Sequence, residues 1–137
     1  MKLILDTNVL VSALIQPSYP FLIVDRILAD GNLQLCLSQE LFAEYVEVLN
    51  REKFKKFPDF HFRAQIFLAD IETQALLFNP TVTLNIINDS ADNRLLELAE
   101  ASNADYIITG NTNDFNMTSY KETKIVSPKE LFEILNK

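Results

Sequence analysis

The chain carries a single cysteine, Cys36, and a single histidine, His61. One cysteine excludes an intrachain disulfide framework and a cysteine-built zinc site. It lies in the apolar run Leu33-Gln34-Leu35-Cys36-Leu37 and reads as a buried structural thiol. The histidine follows Pro58-Asp59-Phe60, near a predicted helix start, and also reads as structural. Chemistry therefore falls to carboxylates, hydroxyls, amides, lysine or arginine. Glycine and proline are scarce, at two and five residues, which excludes collagen-like and linker-like chains. No apolar run approaches the ~20 residues of a membrane span. Met1-Lys2-Leu3-Ile4-Leu5 imitates a signal peptide only briefly, because Asp6 and Asn8 interrupt it and no small-residue cleavage site follows. It reads as a first strand, and the protein as cytoplasmic.

The 137 residues, 48% hydrophobic and 23% charged, suit one soluble domain spanning 1–137. Twelve basic against nineteen acidic residues leave a net charge of −7. That disfavours gripping nucleic acid by counterion release alone, but suits an acidic site bridged to phosphate by metal. The charge is also uneven. Residues 51–56 hold four bases (Arg51, Lys53, Lys55, Lys56) and one acid, while residues 89–114 hold six acids and one base, Arg94. The basic segment, with Phe54 and Phe57 interleaved, is the candidate RNA-binding face.

Periodicity predicts strands at Lys2–Leu5, Leu33–Leu37, Tyr106–Thr109 and Lys124–Val126, with a weak one at Pro80–Leu84. Helices are predicted over Phe21–Ala29 (stopped by Gly31), from Ser38 as N-cap to about Asn50, over Phe60–Phe78, from Ser90 as cap to about Ala101, and from Ser127-Pro128 onward. Alternating strands and helices imply an α/β fold with a mainly parallel sheet of four or five strands.

In such a sheet, strand C-termini and helix N-termini share one edge, where ligands bind. Asp6 directly follows the first strand. Asp92 falls in the first turn of the helix feeding the strand at 106–109, and Asp114 lies five residues past that strand. Glu44 sits deeper in its helix, roughly 9 Å along the axis from Ser38, but helical side chains lean back toward the N-terminus. Thr7, Asn8, Thr109 and Asn111 are polar groups at the same edge. Carboxylates converging without histidine or cysteine form an oxygen-only site, which suits Mg²⁺ or Mn²⁺ over zinc or copper.

These residues also carry a resemblance. Leu5-Asp6-Thr7-Asn8-Val9-Leu10 resembles the opening motif of PIN domains. Glu40 to Leu49 is similar to their second motif, with its acid at Glu44, and Asp89 to Ala99 to their third, with Asp92 in the metal position. Ala104 to Asn111 followed by Asp114-Phe115 resembles the fourth, and Ile125 to Leu131 the closing strand and helix of the bacterial toxin-component branch. The resemblance spans the chain. It implies a three-layer α/β/α sandwich and a metal-dependent ribonuclease acting on single-stranded or structured RNA. It further implies a VapC-type toxin with an antitoxin partner, commonly a homodimer. Asp6, Asp92 and Asp114 would be the metal ligands, and Glu44 would complete the catalytic set. Many members have Thr-Gly-Asp where this chain has Thr109-Gly110-Asn111. A Thr-x-Asn-x-x-Asp-Phe pattern found in other PIN toxins fits Thr109, Asn111, Asp114 and Phe115, and assigns the fourth acid to Asp114.

Three other readings compete. A haloacid-dehalogenase-like phosphatase would need an acid at Asn8 and room for a cap. A phospho-receiver domain would need an acidic pair beside the first strand and a lysine after the last core strand. The third is a PIN fold with weakened catalysis, acting mainly by binding a partner or RNA, which Asn111 and the acidic surface motivate.

Overall fold

A computed structural model describes residues 1–137. Six strands form one sheet: β1 (Lys2–Leu5), β2 (Gln34–Leu37), β3 (Leu76–Leu77), β4 (Tyr106–Ile108), β5 (Ser119–Tyr120) and β6 (Thr123–Val126). Their order is β3-β2-β1-β4-β6-β5. Every pairing is parallel except β5 with β6. Six helices join and flank them: α1 (Thr7–Ile15), α2 (Tyr19–Ala29), α3 (Gln39–Leu49), α4 (Phe60–Gln74), α5 (Ser90–Ser102) and α6 (Pro128–Leu135). From β1 the chain steps outward to β2 and β3, then crosses back over β1 to β4. Right-handed crossovers in opposite directions place their helices on opposite faces of the sheet. The chain is thus an α/β sandwich, with α5 across the sheet from the helices of the first half.

The sheet centre is fully apolar. Leu3, Ile4, Ile107 and Ile108 have no exposed surface and belong to a core of 34 residues. Burial on both faces is why these strands read as continuous rather than alternating apolar runs. Cys36 is buried and free, and the His61 ring meets the Arg51 carbonyl at 3.0 Å. No single helix is long and apolar enough to cross a membrane.

Several local expectations need correction. The sheet has six strands, because two-residue edge strands escape periodicity. Pro80–Leu84 is irregular; the edge strand is Leu76–Leu77, so α4 ends at Gln74. Helix α1 has almost no polar face and escaped amphipathic reading. The C-cap of α2 is Asp30, one residue before Gly31. The N-cap of α5 is Asp89 rather than Ser90: its carboxylate accepts from the Ala91 and Asp92 amides. Helices α3 and α6 start as expected, the latter with a full capping box between Ser127 and Glu130 and Pro128 at its start.

Candidate active site

The direction in which strands are added to the sheet reverses between β1 and β4, the two parallel central strands. Such a switch point opens a crevice at the strand C-termini, and Asp6 and Thr109 stand on its two sides. Asp6 is the N-cap residue of α1, yet its side chain makes no capping bond. Instead Oδ2 accepts from the Thr109 hydroxyl at 2.8 Å and from Asn8 Nδ2 at 3.3 Å. Thr109 is fully buried, and its hydroxyl oxygen accepts the Asn111 amide at 3.1 Å. Asn8 Oδ1 takes the Gly110 amide at 3.0 Å. The loops after β1 and β4 are therefore stitched together through Asp6.

Glu44 reaches this edge from α3, where it accepts the hydroxyl of buried Thr7. The next residue, Tyr45, is wholly buried and donates to the Leu5 carbonyl at 2.5 Å. That bond clamps α3 over the end of β1. Asp92 enters from the first turn of α5. Asp114 lies in the short 3₁₀ segment Thr112–Phe115, anchored by fully buried Phe115.

The electrostatics tie the acids together. Burial raises the carboxyl of Asp6; the Thr109 bond opposes this and the Glu44 charge adds to it. Asp92 is pushed up to about 6, first by burial and then by the charges of Asp6, Asp89, Asp114 and Glu44. No basic side chain offsets these charges at either residue. No three acidic side chains lie close enough together to form a ready-made metal-ligating group. In chemistry the donor set fits a hard dication. It is oxygen-only, partly desolvated and anionic.

Asn111 stands at this edge with its backbone amide on the Thr109 hydroxyl oxygen and its side chain exposed. The basic segment is engaged in local packing and pairing. Phe54 is buried and stacks on Phe60 at 4.5 Å, so it is not offered to a base, while half-buried Phe57 packs against the same ring. Arg51 pairs with Glu47 at 2.9 Å and Lys55 with Glu52 at 2.7 Å; Lys53 and Lys56 lie over the Phe54 and Phe57 rings. All four bases are exposed, and Arg51 lies within electrostatic reach of Glu44.

Two site-supporting residues escaped sequence reading. Tyr45 looked like one more core position. Asn93 is buried at 4% exposure and spends its whole amide on backbone: Oδ1 takes the Ile86 and Ile87 amides at 3.1 and 3.0 Å, and Nδ2 reaches the Ile87 and Asp89 carbonyls. It thereby fixes the loop that sets up the N-terminus of α5 beside Asp92. An asparagine on the apolar side of a helix was the available signal.

Fold and site together define an α/β protein with a carboxylate-lined edge at its switch point. The PIN domain family matches residues 2–113, and the chain belongs to that family. Asp114 falls one residue past the matched stretch. An uncharacterized protein of Methanocaldococcus jannaschii is 27% identical over 146 residues, covering all of this chain and 93% of that protein. A crystal structure of VapBC2 from Rickettsia felis, bound to a DNA fragment from their promoter, superposes with a TM-score of 0.59. It covers 93% of this chain and 98% of its own at 18% identity, a likeness of fold.

Proposed function

We propose that the protein is a metal-dependent endoribonuclease, built as one domain over residues 1–137, that cleaves single-stranded or looped RNA. The observation that carries this reading is the shared sheet edge, where Thr109 and Asn8 hold Asp6, Thr7 holds Glu44, and Asp92 and Asp114 lie within electrostatic reach. PIN domain nucleases generally use divalent ions. Asp6, Asp92 and Asp114 would hold Mg²⁺ or Mn²⁺. The chemistry supplied by the bound ion is Lewis-acid polarisation of a phosphoryl oxygen and acidification of water.

The chain's own residues do the rest. Thr109 and Asn8 orient the Asp6 carboxylate through two bonds to one oxygen. Thr7 holds Glu44 at the edge, where it serves as a further ligand or as acceptor for the attacking water's proton. A shallow edge of this kind accepts a splayed strand and cannot read a duplex groove. Arg51, Lys53, Lys55 and Lys56 supply positive charge along the approach.

The VapBC2 likeness supports a toxin role with an antitoxin protein as partner, and the family resemblance adds a homodimeric state. The direct test is cleavage of RNA by the purified protein with Mg²⁺ or Mn²⁺, with and without EDTA. Cleavage that EDTA abolishes supports the reading, and full activity in EDTA overturns it. Expression of wild type but not Asp6→Asn should slow growth, with relief by a co-encoded small protein.

A second reading, a PIN-fold binding module with weakened catalysis, is favoured by the open spacing of the acids. A metal titration that detects no binding at millimolar Mn²⁺ would select it.

A further inference from the structure

Beside the acidic edge lies a cavity of about 190 Å³, enclosed by the start of α3, the irregular segment at 80–83 and one side of α5. Its lining includes Ser38, Glu40, Val82, Thr83, Arg94 and Glu97. It is smaller than the ~300–1,000 Å³ of pockets for drug-sized ligands, and matches a single planar base rather than a base pair.

Its charged groups are available. Arg94 and Glu97 stand three apart on α5, a spacing at which such side chains normally pair. Here Glu97 turns instead to the Leu84 amide at 2.8 Å. The protein's four ion pairs, Arg26–Asp30, Arg51–Glu47, Lys55–Glu52 and Lys121–Glu100, leave out Arg94, Glu40 and Glu97. One guanidinium and two carboxylates thus face one small cavity without neutralising each other. Exposed Val82 adds an apolar surface for a ring face.

The pocket is also close to the site. Glu40 sits one helical turn before Glu44 on the same face of α3, about 6 Å along the axis, while Arg94, two residues past Asp92, leaves α5 on a different side. A nucleotide neighbouring a phosphodiester at the acidic edge would bring its base here.

The geometry points to a guanine-reading pocket, which rests on the ribonuclease reading above. Guanine presents two acceptors, O6 and N7, suited to the arginine fork. It presents two donor groups, N1–H and the 2-amino group, suited to the pair of carboxylates. Adenine puts a donor where the fork needs an acceptor, and cytosine and uracil each offer one donor group to two carboxylates.

The test has two arms. In the first, a pool of random single-stranded RNA is cleaved with Mn²⁺, and the ends are sequenced. The expected result is guanine enriched at one fixed position relative to the cut. Arg94→Ala should reduce that preference about tenfold or more while total cleavage of the pool at saturating RNA changes by no more than a few-fold. Arg94→Lys, which keeps the charge and loses the fork, should not restore it. No preference in wild type, or one unchanged in Arg94→Ala, overturns the proposal.

In the second arm, Asp6→Asn protein with and without Arg94→Ala is titrated with G-, A-, C- and U-centred oligonucleotides by fluorescence anisotropy in EDTA. Preference for the G-centred strand that vanishes with Arg94→Ala supports the pocket even where wild type cleaves nothing, a result that sinks only the nuclease reading. No cleavage together with no preference sinks both. GMP binding as tightly as the oligonucleotide would make this a free-nucleotide site and overturn the RNA assignment.

Discussion

The Thr109 hydroxyl donates to Asp6 at 2.8 Å across 103 positions of sequence. It bridges the ends of β1 and β4, the parallel strands between which the order of strand addition reverses. One hydroxyl proton favours the charged form of a carboxylate that burial and Glu44 press toward neutrality. The same oxygen receives the Asn111 amide, so the bond orients Asp6 and shapes the loop leading to Asp114.

Thr109→Val should therefore impair the site more than the fold. Losing the hydroxyl leaves the buried partner groups short of a bond, at about 1–3 kcal/mol of stability. Cleavage should fall by more than tenfold with the secondary structure retained. Thr109→Ser, which keeps the oxygen, should restore most of it. Circular dichroism melts beside single-turnover cleavage rates check both parts.

Asp6→Asn should reduce cleavage by orders of magnitude. The amide can still accept from Thr109, and one repelling charge is gone, so the metal-free variant should melt at or above the wild-type temperature. A variant that melts well below wild type would show that Asp6 serves the fold.

Metal should stabilise the protein measurably. A ligand at one hundred times its Kd contributes about 2.7 kcal/mol to a state that alone binds it. Thermal melts with millimolar Mn²⁺ should therefore shift upward, EDTA should reverse the shift, and Asp92→Asn should blunt it.

The pH dependence of the metal-free protein follows from Asp92, which titrates at about 6 folded against 3.8 as an ordinary aspartate. Between those values the folded chain holds a proton that the unfolded chain has released, so stability falls as pH rises through that window. The metal-free protein should be more stable at pH 5 than Asp92→Asn behaviour extrapolates from pH 7, and the variant should lose this part of the pH response. Metal binding should weaken in the opposite sense, below about pH 6, as protons compete for the carboxylate.

Replacing Lys53, Lys55 and Lys56 together by alanine should weaken RNA binding and flatten its dependence on salt while leaving Mn²⁺ affinity unchanged. Filter binding at several salt concentrations measures the slope. An unchanged slope would remove the segment from the RNA path.

Sequence alone determined the parallel α/β architecture and the strand end from which Asp6 emerges. Uninterrupted apolar runs become buried central strands whatever their partners, and an acid following such a run must emerge at a strand end, as Asp6 does. Glu44 was ambiguous, because one stripe of α3 also carries Glu40, Glu47 and Arg51; only Thr7, reached through packing of α3 over β1, distinguishes it. Tertiary structure also decided the edge strands, too short for any period to register, and the roles of Tyr45 and Asn93, whose partners are backbone groups that no side-chain pattern announces. It buried Phe54 and packed Phe57 against Phe60. It left Arg94 unpaired beside two carboxylates by giving Glu97 the Leu84 amide. Local sequence sets which groups a segment carries. Which of them meet depends on contacts between segments up to a hundred residues apart, and those exist only once the chain is folded.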